Sequence, residues 1–279
     1  MELYYYKDPI GNFGDDINPW LWPKLFPEPM EKAFDDDTLF VGIGSLLNQK
    51  IPASPRKKKV FGSGFGYGTP PDVDDNWTFY CVRGPLTAKI LGLSEKSVVC
   101  DGALLIRNIV EPSSSSVYPV SFMPHHQTSK YDNWRAICDE LGIQYIDPAD
   151  SVEKTVEVIR VSSMVVTEAM HGAIVADALR VPWIPVRTRR RILDFKWRDW
   201  LGSLQMDHWF EWLTPAWSQE IDKVYKRRLY PVSRRVARER LRWITRFGKK
   251  RLSKDRVFQE VYGRLCDSFE MLLRDGTVG

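Results

Sequence analysis

His171 is the residue around which chemistry is easiest to build. It lies in Thr167-Glu168-Ala169-Met170-His171-Gly172-Ala173, where a β-rich apolar run stops and a helical one starts almost at once. The first turn of a helix exposes backbone N–H groups and the positive end of the dipole, so it attracts anions. An imidazole beside a bound phosphate or carboxylate is placed to act as a general acid. The bland alternative is a cap-region histidine packed on the sheet. Arg83-Gly84-Pro85 repeats the geometry earlier in the chain. There a guanidinium at a strand end, ahead of a helix opened by proline, can fork onto carboxylate or phosphate oxygens. Alone it is equally a surface arginine in a salt bridge.

Three further stretches carry weaker signals. Pro124-His125-His126-Gln127 closes another strand. Adjacent side chains on extended chain point in opposite directions, so these histidines are not a metal pair and one of them can face a cleft. Gly11-Asn12-Phe13-Gly14-Asp15-Asp16 combines small residues for close backbone approach with acids that can bind or deprotonate sugar hydroxyls. It also reads as a plain turn and helix cap. The glycines from Gly62 to Gly68 run G-x-G-x-G-x-G, which is not the dinucleotide fingerprint. They still let a ligand approach backbone amides at a strand end.

The elements that position these residues alternate between short apolar runs and helical stretches, the pattern of a mainly parallel α/β sheet. Strands are expected at 3–6, 38–42, 59–61, 77–82 and 97–100, with helices from about 17 and over 86–91. Glu111-Pro112-Ser113-Ser114-Ser115-Ser116 is linker-like, and the domain boundary is placed there. The pattern then restarts: strands at 118–123, 144–146, 164–167 and 183–186, and helices near 132–141, 151–160 and 170–179. Beyond about 206 the chain reads as helical apart from Pro215 and Pro231. The expected fold class is α/β: two Rossmann-like domains, 1–112 and 113–205, facing across a cleft, with a basic helical tail over 206–279. In such sheets ligands sit at the carboxyl ends of strands, where all the motifs above fall.

Composition agrees with a folded chain of 279 residues, for which two domains of roughly 150 residues are the first expectation. With 11 Trp, 11 Tyr and 13 Phe, wholesale disorder is excluded. No apolar run approaches the roughly 20 residues of a membrane span, and the first residues lack the pattern of a signal peptide. The four cysteines are scattered without a CxxC pair, which argues against a disulfide framework or zinc knuckle and suits a reducing cytoplasm. The net charge of +4 hides an asymmetry. Residues 223–256 hold 15 Lys and Arg against Glu239 and Asp255, leaving 25 basic and 34 acidic residues elsewhere. A positive patch on an acidic body points to a polyanionic partner, a membrane surface or a nucleic acid.

Taken in order, GNFGDDINPWL, FVGIGSLL, VFGSGFGYG, VRGPLTAKILG, DGALL, the Pro-His pair and TEAMHGAIVADALRVPWIPV resemble the polysaccharide pyruvyl transferase family over about residues 1–190. The resemblance implies a GT-B-like pair of Rossmann-like domains, phosphoenolpyruvate as donor and a terminal sugar as acceptor. It implies a pyruvate ketal as product. The family's RG and HG motifs carry over to Arg83 and His171, and its PH position to His125. On the residues themselves, Gly64, Glu168, Gly172 and Arg187 are further candidates for the donor side, and Asn12, Gly14, Asp15 and Asp16 for the acceptor side. Many members have Ser-Arg-x-His where this chain has Glu168-Ala169-Met170-His171, so one arginine is missing and Arg187 or Arg189 is a candidate substitute. In the mechanism that follows, His171 protonates the donor methylene while Arg83 and the helix N-terminus hold the anion. A sugar hydroxyl then attacks, with Asp15 or His125 as base. No cofactor and no metal are expected.

In the basic tail, Ala237, Leu241, Ile244 and Phe247 make an apolar stripe flanked by Arg234, Arg235, Arg238, Arg242, Arg246, Lys249 and Lys250. That is the composition of an interfacial helix on anionic lipid, or of a helix docked on the protein with solvated arginines. The first reading places the protein on the cytoplasmic face of the inner membrane, acting on a glycan or lipid-linked oligosaccharide. Nucleic acid is not the expected partner, because few aromatics interleave the basic run. Two competing functions are a nucleotide-sugar glycosyltransferase of GT-B type and a non-catalytic basic module.

Overall fold

Strands buried on both faces need no alternation of polar and apolar residues, and Thr38-Leu39-Phe40-Val41 is such a run, buried throughout. The computed structural model describes residues 1–130, 132–188, 194–216 and 224–276, with the backbone alone for 224–229. Its first sheet is parallel, with β1 (Glu2–Tyr4), β2 (Thr38–Val41), β3 (Lys57–Ser63) and β4 (Trp77–Val82) side by side in that order. Helix α1 (Phe13–Leu25) joins β1 to β2, and α2 (Pro85–Ile90) follows β4.

The second sheet is also parallel, in the order β6-β5-β7-β8-β9. Its strands are β5 (Ser121–Met123), β6 (Gln144–Tyr145), β7 (Val165–Thr167), β8 (Trp183–Arg187) and β9 (Glu211–Trp212). Helices α3 (His126–Ser129), α4 (Trp134–Leu141), α5 (Val152–Arg160), α6 (Met170–Ala178) and α7 (Asp194–Ser203) are interleaved with them. Because β6 lies on one side of β5 and β7 on the other, the chain reverses direction across the sheet between β5 and β7. The crevice beyond their carboxyl ends is the topological switch point, the usual ligand site of an open α/β sheet.

Several expectations are corrected. Residues 97–100 are not a strand; Val98 makes only an isolated bridge to Val82. The chain turns there because Asp101 caps the 3-10 helix Gly102–Asn108, accepting from Ala103 N at 3.0 Å. The region beyond 206 is not wholly helical, since β9 adds to the sheet edge with two residues, too few to leave a periodic signal. Pro231 does not interrupt α8 (Val224–Phe247). A helix tolerates one lost hydrogen bond when the residues after it are packed, as Ala237, Leu241 and Ile244 are, all fully buried on the second sheet.

The two halves do not stand apart. Phe13, Ile17, Trp22, Leu104 and Leu105 of the first share one apolar core with Met123, Met170, Ala173, Ile174 and Trp183 of the second. Helix α6 is buried nearly all round, as an apolar helix between two layers must be. The last helix, α9 (Asp255–Gly276), crosses back to the first sheet. There Phe269 stacks at 6.1 Å on Trp22 and meets Phe61 and Phe26 edge-on at 5.6 Å. Asn18 fixes α1 beyond β2: its side chain donates to Ile43 O and accepts from Ile43 N and Trp22 Nε1.

Candidate active site

Gly14, Asp15, Arg83, Asp101, His171 and Lys196 converge where α1 and the 3-10 helix meet the N-terminus of α6. Phe13 N donates to Pro148 O at 2.9 Å, which ties the start of α1 to the second half. Asn12 is the residue before α1, and its side chain donates to Asp15. Asp16 accepts from Asn12 N at 2.9 Å, so it secures the helix start. Gly14 lies flat against the His171 imidazole, and a Cβ there would overlap Nδ1. The small residue expected on the acceptor side is needed first to seat the histidine.

Arg83 is fully buried. Its Nε donates to Asp199 Oδ2 at 3.1 Å, Nη1 to Ser45 Oγ at 2.9 Å, and Nη2 to Phe65 O at 2.7 Å. Nη1 also lies 3.5 Å from Gly44 O. Of five guanidinium protons this leaves one for a ligand, not a two-pronged fork. The surface alternative is corrected as well, since the pair with Asp199 is wholly buried. Asp199 also accepts from Thr87 N and Oγ1, pinning α2 to α7. Gly64 is small because Arg83 passes it; a Cβ there would strike the guanidinium.

His171 presents Nε2 to Asp101 Oδ2 at 3.7 Å. Neither atom has a hydrogen-bond partner among the described residues, and both are buried. Burial, with Lys196 and Arg83 adding, holds the imidazole down to about 3, so it is neutral near pH 7. Burial pushes Asp101 up to about 6, against the pull of Arg83 and the Ala103 N–H. Asp15 is raised to about 7, again chiefly by burial, with Asn12 and Lys196 opposing. Lys196 is lowered to about 8 by burial and by Arg83, while Asp15 pulls it back up. Four groups of this cluster therefore titrate well away from their ordinary values, which is how acid–base sites are built.

The remaining predicted residues form a second group at the ends of β5, β7 and β8, and Glu168 braces it. Its Oε1 accepts from Thr188 N at 2.9 Å and from Thr188 Oγ1, and its Oε2 accepts from His125 N at 3.1 Å. Both carboxylate oxygens are thus committed to the protein. His125 and His126 do not diverge: their rings lie 4.3 Å apart, because the chain leaves the strand at His125 and enters α3. His126 faces Asp8 at 3.8 Å, and His125 Nδ1 accepts from Gln127 N. Gly172 abuts Met123 and Thr167, leaving no room for a side chain. Arg187 pairs with Asp194 and lies 4.4 Å from the Phe210 ring centroid. Arg189 lies outside the described residues.

Two members of the cluster carried no role in the sequence reading. Lys196 sits three residues before Asp199 on α7, so one face of one helix supplies a site cation and the counter-ion of another. Asp101 stood in the DGALL block without a partner, because its partner is 70 residues away.

The profile of the family described as "Polysaccharide pyruvyl transferase" matches residues 2–190. The "Succinoglycan biosynthesis protein ExoV" of Rhizobium meliloti (strain 1021) is 42% identical over 207 residues, covering 73% of this chain and 65% of that protein. The chain thus spans just under two-thirds of this relative's length.

Proposed function

The chain belongs to the polysaccharide pyruvyl transferase family, and from that premise we propose that it transfers pyruvate from phosphoenolpyruvate to a sugar of a bacterial exopolysaccharide precursor. The product is a pyruvate ketal, and inorganic phosphate is released. The observation that carries this reading is the convergence of Arg83, Lys196, Asp101, His171 and Asp15 within one buried cluster. It combines cations for a carboxylate and a phosphate with acids poised to exchange protons. In a GT-B-like arrangement of the two Rossmann-like halves, 1–112 and 113–205, the first supplies the acceptor loop together with Arg83 and Asp101, and the second supplies the rest of the donor side. The acceptor is carried on a lipid, which puts the enzyme at the cytoplasmic face of a membrane.

In this reading Lys196, the one free N–H of Arg83 and the N-terminus of α6 neutralise the donor anion, supplying what the missing family arginine would have given. The incoming negative charge offsets Lys196 and Arg83, the two groups that depress His171 along with burial. The imidazole can then take up a proton, shared with Asp101, and deliver it to the methylene carbon. That carbon becomes a methyl group and C2 an oxocarbenium-like centre. A sugar hydroxyl adds to C2 and gives its proton to Asp15, whose raised pKa suits a base near neutral pH. The C2–O bond to phosphate breaks, and a second hydroxyl closes the ketal as its proton leaves with the phosphate. Arg187 and His125 line the donor side, and Asn12 and Asp16 hold the acceptor loop.

The test is incubation with phosphoenolpyruvate and a panel of glycosides. The expected result is a mass increment of one pyruvate ketal with equal phosphate release. Release of a nucleoside diphosphate from a sugar nucleotide instead would replace this reading with glycosyl transfer.

A further inference from the structure

Helix α8 carries two apolar rows, and the fold covers one of them. Ala237, Leu241 and Ile244 are fully buried against the second sheet, with Ala216, Ile184 and Trp134 in the same cluster. The stripe that the sequence offers to a membrane is therefore spent on the protein, except for Phe247. A different row faces outward: Val232 is 62% exposed, Val236 47%, Trp243 43% and Phe247 68%. Steps of four, seven and four residues keep these four on one face of a helix. Scattered exposed hydrophobics are ordinary, but a row of four including two aromatics marks an interaction surface.

The charges of α8 divide the same way. Arg234 and Arg238 pair with Glu140 of α4, and Arg240 pairs with Glu211 of β9 at 2.7 Å, so these three hold the helix down. Arg240 also lies 4.3 Å from the Trp243 ring centroid and braces it. Glu239, the one acid on the outer face, is neutralised by Arg238 and Arg242. Arg235, Arg246, Lys249 and Lys250 are all exposed and border the outer row. None of them forms an ion pair among the described residues.

We infer that this outer face of α8 lies on an anionic lipid surface. Val232, Val236, Trp243 and Phe247 enter the boundary between headgroups and acyl chains, and Arg235, Arg246, Lys249 and Lys250 sit on lipid phosphates. An in-plane helix needs both a row of apolar residues and a basic border, and both are present. A second copy of the chain does not suit this face, because it would bring like charges together. A nucleic acid does not suit it either, because the row would oppose phosphates. The inference rests on the proposed function only in giving a lipid-linked acceptor a surface, and its test requires neither donor nor acceptor.

The experiment is flotation of the full chain with phosphatidylcholine vesicles, with and without phosphatidylglycerol, at low and high salt. The wild type is expected to float with the anionic vesicles alone and to be released by salt. Trp243→Ser with Phe247→Ser lowers partitioning by about tenfold or more. Arg235→Gln and Arg246→Gln lower it by about fivefold each. Arg234→Gln with Arg238→Gln, the pair held by Glu140, changes it by less than about twofold. The Trp243/Phe247, Arg235 and Arg246 variants should melt as the wild type does, and all variants should keep their activity on a soluble glycoside. Binding that is unchanged in the Trp243/Phe247 variant, equal binding to neutral vesicles, or no flotation of the wild type would overturn the inference. So would a row variant that turns a dimer into a monomer in sedimentation velocity, since the occupant would then be a second copy. Displacement from vesicles by an oligonucleotide at equal charge would assign the face to nucleic acid instead.

Discussion

Arg83 and His171 enter the site from opposite halves of the chain, and the fold treats them in opposite ways. Arg83 is buried with its protons placed on Asp199, Ser45, Gly44 and Phe65. His171 is nearly as buried, yet its Nε2 and the facing Asp101 Oδ2 have no hydrogen-bond partner among the described residues. A buried cation is retained when its charge and donors are met, whereas an unmet buried polar atom costs about 1–3 kcal/mol. Native structures keep such a cost where the atom serves something other than the fold. The first half thus contributes a fixed positive charge, and the junction with the second contributes groups whose protonation can change.

That contrast predicts different failures on the two sides. His171→Ala should lower turnover by about 10²–10⁴ while leaving the melting transition almost unchanged, as measured by phosphate release and calorimetry. A variant with near wild-type turnover would remove His171 from the chemistry. Asp199→Ala should do the reverse, costing about 3–5 kcal/mol in denaturant unfolding because Arg83 is left buried without a counter-charge. If its unfolding midpoint matched the wild type, Arg83 would not be locked in the way described.

Asp101→Asn sharpens the comparison, since it keeps the shape of the pair and removes its acid. We expect turnover to fall with little change in the Michaelis constant for phosphoenolpyruvate, and the limb of the pH–rate profile near 6 to vanish. A purely structural Asp101 would leave that limb in place. A last test concerns Asp15, which titrates near 3.8 in an unfolded chain but at about 7 in the fold. Between those values the folded state keeps a proton that the unfolded state has lost, so stability falls as pH rises through the window. Asp15→Asn, with no proton to lose, should melt above the wild type at and beyond about pH 7, and the gap should close toward about pH 4. A gap that is flat across that range would mean Asp15 is not shifted.

The parts of this site that are local are legible in the sequence. A strand running into a helix at Thr167–Met170 is legible from the change of period, and so is the proline-opened helix after Arg83. The parallel α/β pattern follows from short apolar runs that alternate with helical stretches. The rest is set by distant partners. Asp199 reaches Arg83 across 116 residues, and no local pattern foretells that the guanidinium is consumed there. Glu168 looks like a ligand of the anion site until Thr188 arrives from the next strand and takes one of its oxygens. In α8 the periodicity is right but two stripes share one helix, and only packing decides which of them meets the sheet.

The stacking of Phe269 on Trp22, with α6 wedged into the same core, has a mechanical consequence. Enzymes built from two α/β halves often admit substrates by swinging the halves apart about a hinge. Here such a swing would have to strip α6 from the first half and pull α9 off an aromatic cluster, exposing apolar area on both. The shared core therefore resists such a swing. Because Gly14, in the first turn of α1, rests on the His171 ring, displacing that turn would also shift the imidazole. The start of α1 and the imidazole are coupled by a contact with no room for a methyl group.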